Sequence, residues 1–347
     1  MSRARLAGIL TLCLLAAAPA VRAAEPGFQP LKLTVRPITS FGVGTQRFGA
    51  LEYRGGLQLI SANPAFGAFS GLDFGPDGST LYAISDTGNW LTGHIVESDG
   101  RLVGLEDAAF APVLDAKGQP FTSKITADAE GLRIVTDNGR VTALVSFEQK
   151  AAISRYVADP DLALARRQAV PLPKFVNHIR GNRGLEGLAV APATSLLAGS
   201  VVALAERSLD SAGNHRGFIL SGPRAGTFSI KRLGEFDITD AAFLPDGDLL
   251  LLERRFDYST GVGMQIRRIP GASIRPGATV DGEVLMTADM LNQIDNMEGM
   301  AVRTAASGET IITLISDDNL NRLLQRTILL QFALPPRLPP LPILRPG

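Results

Sequence analysis

The chain alternates short apolar runs with turn-forming residues along most of its length. In the clearest unit, residues 69–86, two apolar runs flank the turn Pro76-Asp77-Gly78 and the second run ends at Asp86. Short apolar runs bounded by Gly, Pro, Asn and Asp are typical of β-strands. The plan recurs, with openings at residues 70, 130, 186, 239 and 298 and gaps of 60, 56, 53 and 59 residues. A regular repeat of this size built from short strands predicts the blades of a β-propeller.

We therefore predict an all-β protein with a single β-propeller over residues 49–334, preceded by a lead-in segment at 24–48. Five repeats carry the motif, and a sixth blade with an eroded motif is left open, so the prediction is five or six blades. An apolar segment at 53–60 precedes the first repeat. Because propellers remove exposed edges by pairing strands from the two ends of the chain, we expect this segment to complete the last blade.

Local signals refine the prediction in three places. Asn138-Gly139 and the turn Ser98-Asp99-Gly100 each separate two strand-like runs, and Asn-Gly is a strong hairpin signal. Residues 160–168 have helical periodicity for about two turns before Pro171 interrupts it. The polar loop that follows contains His178 and leads into the third repeat, where a propeller could place specificity residues.

The two ends of the chain have different compositions from the repeats. Arg3 and Arg5 precede an apolar run over residues 6–18, and small residues follow near position 23. This pattern predicts a secretory signal peptide over residues 1–23 and export to a periplasm or to the medium, with a membrane anchor as the alternative. The tail at 335–347 contains six prolines and is expected to be extended.

Composition excludes several kinds of protein. Acidic and basic residues balance at 34 each, so a basic excess typical of nucleic-acid binders is absent. The single cysteine, Cys13, lies within the predicted signal, so the mature chain would have no disulfide and no thiol chemistry. No later segment is apolar for long enough to predict a membrane span. We expect a soluble monomer whose partner is a small anionic substrate or a metal ion.

Acidic residues recur at two positions of the repeat. One position opens the innermost strand, and its occupants are Ser70, Glu130, Glu186, Asp240 and Glu298. The other closes the next strand, and its occupants are Asp86, Glu148, Glu206, Glu253 and Asp317. Because antiparallel neighbours bring these two ends to one edge of the blade, we expect a ring of carboxylates around an axial funnel. Ser70 makes the ring asymmetric, and its charge is expected to concentrate on the later blades.

Crowded carboxylates raise one another's pKa values unless a cation neutralises them, and calcium tolerates irregular oxygen sites. The candidate metal ligands are Glu130, Glu186, Glu206, Asp240, Glu253, Glu298, Asp317 and Asp318. Arginines follow two of these acids, and their planar fork suits carboxylate or phosphate. The candidate catalytic residues are Glu186, Glu298, Arg207 and Arg254. The alternative is structural, with these acids bonding backbone amides or cations of the neighbouring blade.

Other catalytic constellations are poorly represented. A Gly-x-Ser-x-Gly elbow, a phosphate-binding P-loop and a dinucleotide fingerprint are absent from the sequence. The three histidines, His94, His178 and His215, do not occur at metal-binding spacing. A serine triad would have to use one of them, and His178 is the best placed.

The order of the motifs resembles the phytase-like family described as "esterase-like activity of phytase". The matching segments are Ser70-Gly71-Leu72-Asp73, Glu186-Gly187-Leu188-Ala189, Leu251-Leu252-Glu253-Arg254, Glu298-Gly299-Met300 and Ile315-Ser316-Asp317-Asp318-Asn319. The resemblance spans residues 49–333, and Asp128-Ala129-Glu130 is similar to part of the acidic motif of propeller phytases. It implies a β-propeller, export and calcium-assisted hydrolysis of phosphoesters.

Three hypotheses about function follow. The first is an exported hydrolase of phosphoesters or related esters that uses a divalent cation held by the funnel carboxylates. The second is a periplasmic propeller that binds a metal or ligand without catalysis. The third is a lactonase-like hydrolase that also depends on a metal.

Overall fold

Five antiparallel sheets surround a central axis in the computed structural model, which describes residues 27–148, 151–176, 179 and 184–336. The innermost strands of successive sheets contact one another in order, and the fifth contacts the first, so the ring is closed. The protein is a five-bladed β-propeller, which confirms the predicted fold class. The described residues form no sixth blade: within the two segments that could have held one, 24–66 and 100–125, Leu51–Ile60 is the outer strand of blade 5 and Arg101–Pro112 that of blade 1.

The strand bounds follow the repeat, from blade 1 to blade 5. The innermost strands are Phe69–Phe74, Ala129–Asp137, Leu185–Val190, Asp237–Phe243 and Met297–Thr304. The second strands are Thr80–Ser85, Arg140–Phe147, Val201–Leu209, Leu249–Asp257 and Thr310–Ser316. The third strands are Asn89–Ser98, Ala152–Val157, His215–Ile219, Gly261–Ile269 and Thr327–Leu334. The fourth strands are Arg101–Pro112, Gln168–Val170, Gly226–Ile230, Glu283–Ala288 and Leu51–Ile60.

Short strands extend the outer edges of three blades. Gln29–Pro30 pairs with the outer strand of blade 1, and Thr279–Val280 with that of blade 3. Thr34–Ile38 and Arg47–Phe48 pair with the outer strand of blade 5. The helical segments are α-helix Lys124–Ala127 and the 3₁₀ turns Leu162–Leu164, Lys174–Val176 and Gly271–Ser273. None of the helices among the described residues is long and apolar enough to span a membrane.

Blade 5 closes the ring with strands from both ends of the chain. Leu51–Ile60 lies antiparallel to Thr327–Leu334, with Leu57 opposite Leu329. This pairing confirms the prediction for residues 53–60. It also covers the outer edge of the C-terminal strand, which would otherwise present unpaired backbone groups.

Glycine after the opening residue lets the innermost strands approach one another closely. A Cβ at Gly71 would lie 2.7 Å from the Glu130 carbonyl oxygen, and one at Gly131 would lie 2.6 Å from that of Glu186. Real Cβ atoms do not make contacts this short, so a larger residue would push neighbouring blades apart. The Glu-Gly pairs of the repeat therefore reflect packing around the axis as well as any chemistry.

The local predictions have mixed outcomes. Asp99-Gly100 and Asn138-Gly139 form two-residue hairpin turns with positive φ at both positions, as type I′ turns require. The helix expected over residues 160–168 is wrong in extent, because only the 3₁₀ turn Leu162–Leu164 forms and Gln168 already belongs to a strand. Asp161 caps that turn by accepting a hydrogen bond from the Leu164 N–H.

Three sequence predictions fall outside the described residues. The predicted signal peptide at 1–23 and most of the proline-rich tail, from residue 337, belong to this group, and so does the His178 side chain. They stay predictions.

A buried ion pair fills the channel at the axis. The Arg133 guanidinium of blade 2 donates to Asp240 of blade 4 at 2.8 Å and to the Leu72 carbonyl of blade 1 at 3.1 Å. Asp240 also accepts the Met300 N–H of blade 5 at 2.8 Å. Both charged side chains are almost completely buried. This pair therefore connects four of the five blades across the axis.

Candidate functional site

A bulge at the start of each innermost strand sets the geometry of one mouth of the channel. At each bulge the pairing between the innermost and the second strand shifts by one residue. In blade 1 this shift lies between Phe69 and Gly71. The residues at this slip are Ser70, Glu130, Glu186, Thr239 and Glu298. The residues that occupy the equivalent position at the end of the second strand are Asp86, Glu148, Glu206, Arg254 and Asp317. All ten of these residues have polar or charged side chains, and seven of them are acids.

Blade 4 departs from the sequence-based alignment at both positions. Asp240 occupies the place of the repeat glycine, one residue beyond the bulge, and pairs with Arg133 in the channel. Glu253 pairs across the ladder with Ile238 and is fully buried, where it accepts hydrogen bonds from Arg267 and Gln265. The structure therefore places Asp240 and Glu253 away from the predicted ring. Thr239 and Arg254 occupy the two ring positions of blade 4 instead. The strand pairing of this blade differs by one residue from the alignment that its acidic residues suggest.

Asp318 also has structural partners. Its carboxylate accepts the Ala68 N–H at 2.9 Å, the Leu320 N–H at 3.1 Å and the Thr327 hydroxyl at 3.1 Å. These bonds join blade 5 to the segment that enters blade 1. This arrangement matches the structural alternative for a predicted metal ligand.

The remaining acids converge at the mouth. We call this set the acidic funnel, and its members are Asp86, Asp128, Glu130, Glu148, Glu186, Glu206, Glu298 and Asp317. Opposite blades interact electrostatically here, since Glu298 of blade 5 raises the pKa values of Glu130 and Glu186. The predicted residues Glu130, Glu186, Glu206, Glu298 and Asp317 are thus brought together.

Three cations contact the acidic funnel. Arg254 lies 3.3 Å from Glu298 and 3.5 Å from Glu206. Arg207 lies 3.5 Å from Glu206 and 3.3 Å from Asp237, with more than half of its side chain exposed. Lys124, from the short helix after blade 1, forms ion pairs with Asp86 and with Asp128, the latter at 3.4 Å. Among the residues that the structure describes, eight carboxylates of the acidic funnel thus face three cations.

Burial and mutual repulsion raise the pKa values of several acids of the funnel. Burial, followed by the charges of Glu186 and Glu298, raises the pKa of Glu130 well above its usual range. Burial, followed by a hydrogen bond and the charge of Asp128, raises the pKa of Glu148 to about 7. Burial and the charge of Glu298 raise the pKa of Asp317 to about 8. Several carboxyls with strongly raised pKa values in one cleft mark the acidic funnel as the candidate functional site.

The tightest group of oxygens lies in blade 2. One carboxylate oxygen each from Asp128, Glu130 and Glu148 lie within 4.8 Å of one another, which is close enough for all three to hold one metal ion. The sequence predicts instead that charge concentrates on the later blades. Glu130 is among the predicted metal ligands, but Asp128 and Glu148 are not. The repeat did contain the signal for Glu148, as a closing acid, and Asp128 lies two residues before the opening acid.

Lys124 was missed entirely. It belongs to the connection between blades 1 and 2, which the repeat does not describe. The i,i+4 spacing of Lys124 and Asp128 was the available signal, but it gains meaning only once a helix is placed there.

The raised pKa values predict a pH-dependent stability. A carboxyl whose pKa is higher in the folded state binds its proton more tightly there, so its contribution is complete below about pH 4 and is lost as the pH rises through 7–8. Without divalent cations we expect Tm to fall by about 5 °C or more between pH 5.5 and pH 8.5, since each kcal/mol shifts Tm by about 2–4 °C in a chain of this size. Thermal unfolding followed by circular dichroism measures this change.

The matched control is a double variant, Glu148→Gln with Asp317→Asn, which removes two of the titrating groups. Its Tm is expected to vary less with pH over the same interval. A wild-type profile that is as flat as that of the double variant would contradict the expected titration.

Comparison with known proteins gives distant structural similarities and one family match. No curated protein matches the chain. A gluconolactonase from Xanthomonas campestris has a similar solved structure, with 11% identity, a TM-score of 0.41 and coverage of 90% of this chain and 99% of that chain. A thermostable family-43 glycoside hydrolase has 11% identity, a TM-score of 0.48 and coverage of 82% and 98%. An endo-arabinase from Bacteroides thetaiotaomicron has 12% identity, a TM-score of 0.46 and coverage of 80% and 96%.

The identities and the TM-scores of these structures are low, so we base no argument on them. The family comparison is more specific. The sequence model of the phytase-like family, described as esterase-like activity of phytase, matches residues 64–320. This range contains every member of the acidic funnel. It also contains all the blade strands except the two that close the ring, Leu51–Ile60 and Thr327–Leu334. The chain therefore belongs to the phytase-like family.

Proposed function

We propose that this chain is an exported hydrolase of phosphoesters or related esters whose acidic funnel holds a divalent cation, with calcium as the best-fitting ion. The observation that carries the proposal is the convergence of eight carboxylates on one mouth of the channel, several of them buried beside one another. Such a concentration of like charge is costly without a counter-ion. The family description supports ester hydrolysis as the reaction class.

The donor atoms fit a hard divalent cation. Asp128, Glu130 and Glu148 offer only carboxylate oxygens, which calcium and magnesium prefer. The Asp86 Oδ1 is buried and has no hydrogen-bond partner among the described residues, so it is a further oxygen available to a cation. Calcium is the better candidate of the two, because it tolerates irregular oxygen sites whereas magnesium requires near-octahedral geometry.

The chain's own residues supply the remaining functions. A bound cation would neutralise a phosphate group and make a water molecule more acidic. Arg254 stands between Glu206 and Glu298, where its guanidinium fork faces the funnel and can hold anionic oxygens of a substrate. Arg207 is further out and largely exposed, which suits the capture of an approaching anion.

Proton transfer would be carried out by acids with raised pKa values. A general base works best when its pKa lies near the operating pH. Burial raises the pKa of Glu186 well above its usual range, and burial also raises that of Glu298 against the opposing effect of Arg254. Their raised pKa values and their positions in the acidic funnel support Glu186 and Glu298 as the groups that take a proton from water and return it to the leaving group.

Calcium-dependent release of phosphate from a generic phosphomonoester tests the proposal. We expect turnover by the calcium-loaded protein, its loss on chelation, and a decrease of about 100-fold or more in Glu186→Gln and Glu298→Gln, as is typical when an acid–base group is removed. Calcium binding without turnover would support the non-catalytic alternative. Hydrolysis of lactones but not of phosphomonoesters would support the lactonase-like alternative. Export is tested by the cellular fraction in which the full-length chain is found, with a deletion of residues 1–23 as its control.

A further inference from the structure

A cavity of about 470 Å³ opens beside the acidic funnel, between blades 4 and 5. Its lining includes Arg254 and Glu298, so it is continuous with the proposed reaction centre. The volume lies within the range of pockets that hold small molecules. A group attached to a substrate bound at Arg254 could enter this cavity without leaving the funnel.

One wall of the cavity is apolar. Its members are Phe256, Val262, Met290, Ile294 and Leu324. Phe256 is 56% exposed, Met290 60% and Leu324 82%, although large apolar side chains are normally covered. Several such side chains around one cavity next to a polar centre are typical of a ligand site rather than of a random surface.

The loop that supplies Leu324 is held in a defined shape. Asp295 accepts the Arg326 N–H at 3.0 Å, and the Arg326 guanidinium donates to the Ile294 carbonyl at 3.2 Å. Asn319 and Leu320 both have positive φ values, 48° and 52°, which non-glycine residues rarely adopt. Backbone strain of this kind persists only where surrounding contacts impose it, and it concentrates at functional sites. The pocket is therefore largely preformed.

The charges of the cavity restrict what it can accept. Asp295 and Glu298 line it together with Arg254 and Arg326. Arg326 is already engaged by Asp295 and the Ile294 carbonyl, and Arg254 faces the funnel acids. A substrate with several phosphate groups would bring further negative charge beside Asp295 and Glu298. An uncharged apolar group meets no such repulsion.

We propose that this cavity, which we call the apolar subsite, binds the apolar substituent of the substrate, so that the preferred substrate class is an ester with one anionic head and an aromatic or similarly bulky apolar group. This inference rests on the proposed function, because the head must bind at the metal-loaded funnel. It assigns specificity to Phe256, Met290 and Leu324 and excludes highly phosphorylated compounds as the preferred substrates.

Binding of two stable phosphonates to the calcium-loaded protein tests the inference without requiring turnover. Phenylphosphonate and methylphosphonate share the same anionic head and differ only in the apolar group. Covering a phenyl ring removes on the order of 100 Å² of apolar surface from water, so we expect phenylphosphonate to bind about ten-fold more tightly or better. Isothermal titration calorimetry gives both affinities and, in a separate titration, the calcium affinity.

Leu324→Ser is expected to abolish most of this preference while leaving methylphosphonate and calcium binding unchanged. Leu323→Ser is the matched control, because Leu323 is on the same loop, is 96% exposed and does not line the cavity. Both side chains are exposed, so neither change should impair folding. The Leu323 variant is expected to keep the wild-type preference.

The possible failures can be told apart. Equal, calcium-dependent binding of the two phosphonates would overturn the apolar subsite and leave the proposed function standing. The same would follow if Leu323→Ser and Leu324→Ser reduced the preference equally. If neither phosphonate bound with or without calcium, the proposed function would fail and the subsite, which depends on it, would fail with it.

Discussion

Replacing Asp240 with alanine is expected to lower the free energy of unfolding by about 3–5 kcal/mol, because removal of one partner leaves a buried charge uncompensated. The charge in question is the Arg133 guanidinium, which is almost completely buried and lies 2.8 Å from Asp240. The change also removes the acceptor of the Met300 N–H. Burial raises the pKa of Asp240 to about 6 even with Arg133 beside it, so the carboxylate is ionised at neutral pH.

Urea unfolding at pH 7.5 of the wild type and three variants measures this effect. The double variant Arg133→Met with Asp240→Ala removes both charges, and we expect it to be more stable than Asp240→Ala alone. Arg140→Ala is the surface control, because its ion pair with Asp159 is well exposed and should contribute less than about 1 kcal/mol. A loss below about 1 kcal/mol for Asp240→Ala would show that the ion pair does not hold the blades together.

Neutralising one carboxylate of the blade 2 group is expected to weaken calcium binding by about 100-fold. Two unit charges about 4 Å apart interact by about 4 kcal/mol at an effective dielectric constant of about 20, and relief of repulsion among the remaining acids offsets part of this loss. The variants are Asp128→Asn, Glu130→Gln and Glu148→Gln, whose oxygens lie within 4.8 Å of one another. Calorimetric titration of calcium into chelator-treated protein at pH 8 gives the dissociation constants.

Two control variants separate the site from the general charge of the protein. Glu235→Gln removes the same charge from an exposed residue, and Glu253→Gln alters an acid that bonds to Arg267 inside blade 4. Both should retain the wild-type calcium affinity. If the three blade 2 variants bound calcium as tightly as these controls, the cation would have to bind elsewhere in the acidic funnel.

The fold could be predicted from the sequence because its signals are local and repeated. Alternating apolar runs locate the strands, and turn residues such as Asn138-Gly139 locate the hairpins. The recurrence of the same strand–turn–strand unit then predicts a ring of blades. The apolar segment at 53–60, which precedes the first repeat, predicts how the ring closes. Helical periodicity over residues 160–168 was misleading, because a segment of nine residues between strands is too short to be stable as a helix without packing.

The site was predicted less well because it depends on single-residue register. Asp240 and Glu253 were assigned to the ring by their charge, yet the turns give a different alignment. Ser70 lies six residues before Pro76, and the residue six before Pro245 is Thr239, not Asp240. In a strand, a shift of one residue moves the side chain to the opposite face. Alignment on the turn residues therefore gives the correct register, whereas alignment on the acidic side chains gives a register that is wrong by one residue.

Closure of the ring by the first and last strands of the propeller has a consequence for how the protein folds. Leu57 and Leu329 meet in one ladder although roughly 270 residues separate them, and joining chain ends at that distance costs about 5 kcal/mol in loop entropy. A growing chain cannot form this ladder until residues 327–334 have been synthesised. Blades 1 to 4 can assemble earlier from neighbouring strands, but the ring closes only after residue 334 has been made. A chain interrupted before residue 327 leaves Leu51–Ile60 paired with Thr34–Ile38 on one edge and unpaired on the edge that belongs to blade 5.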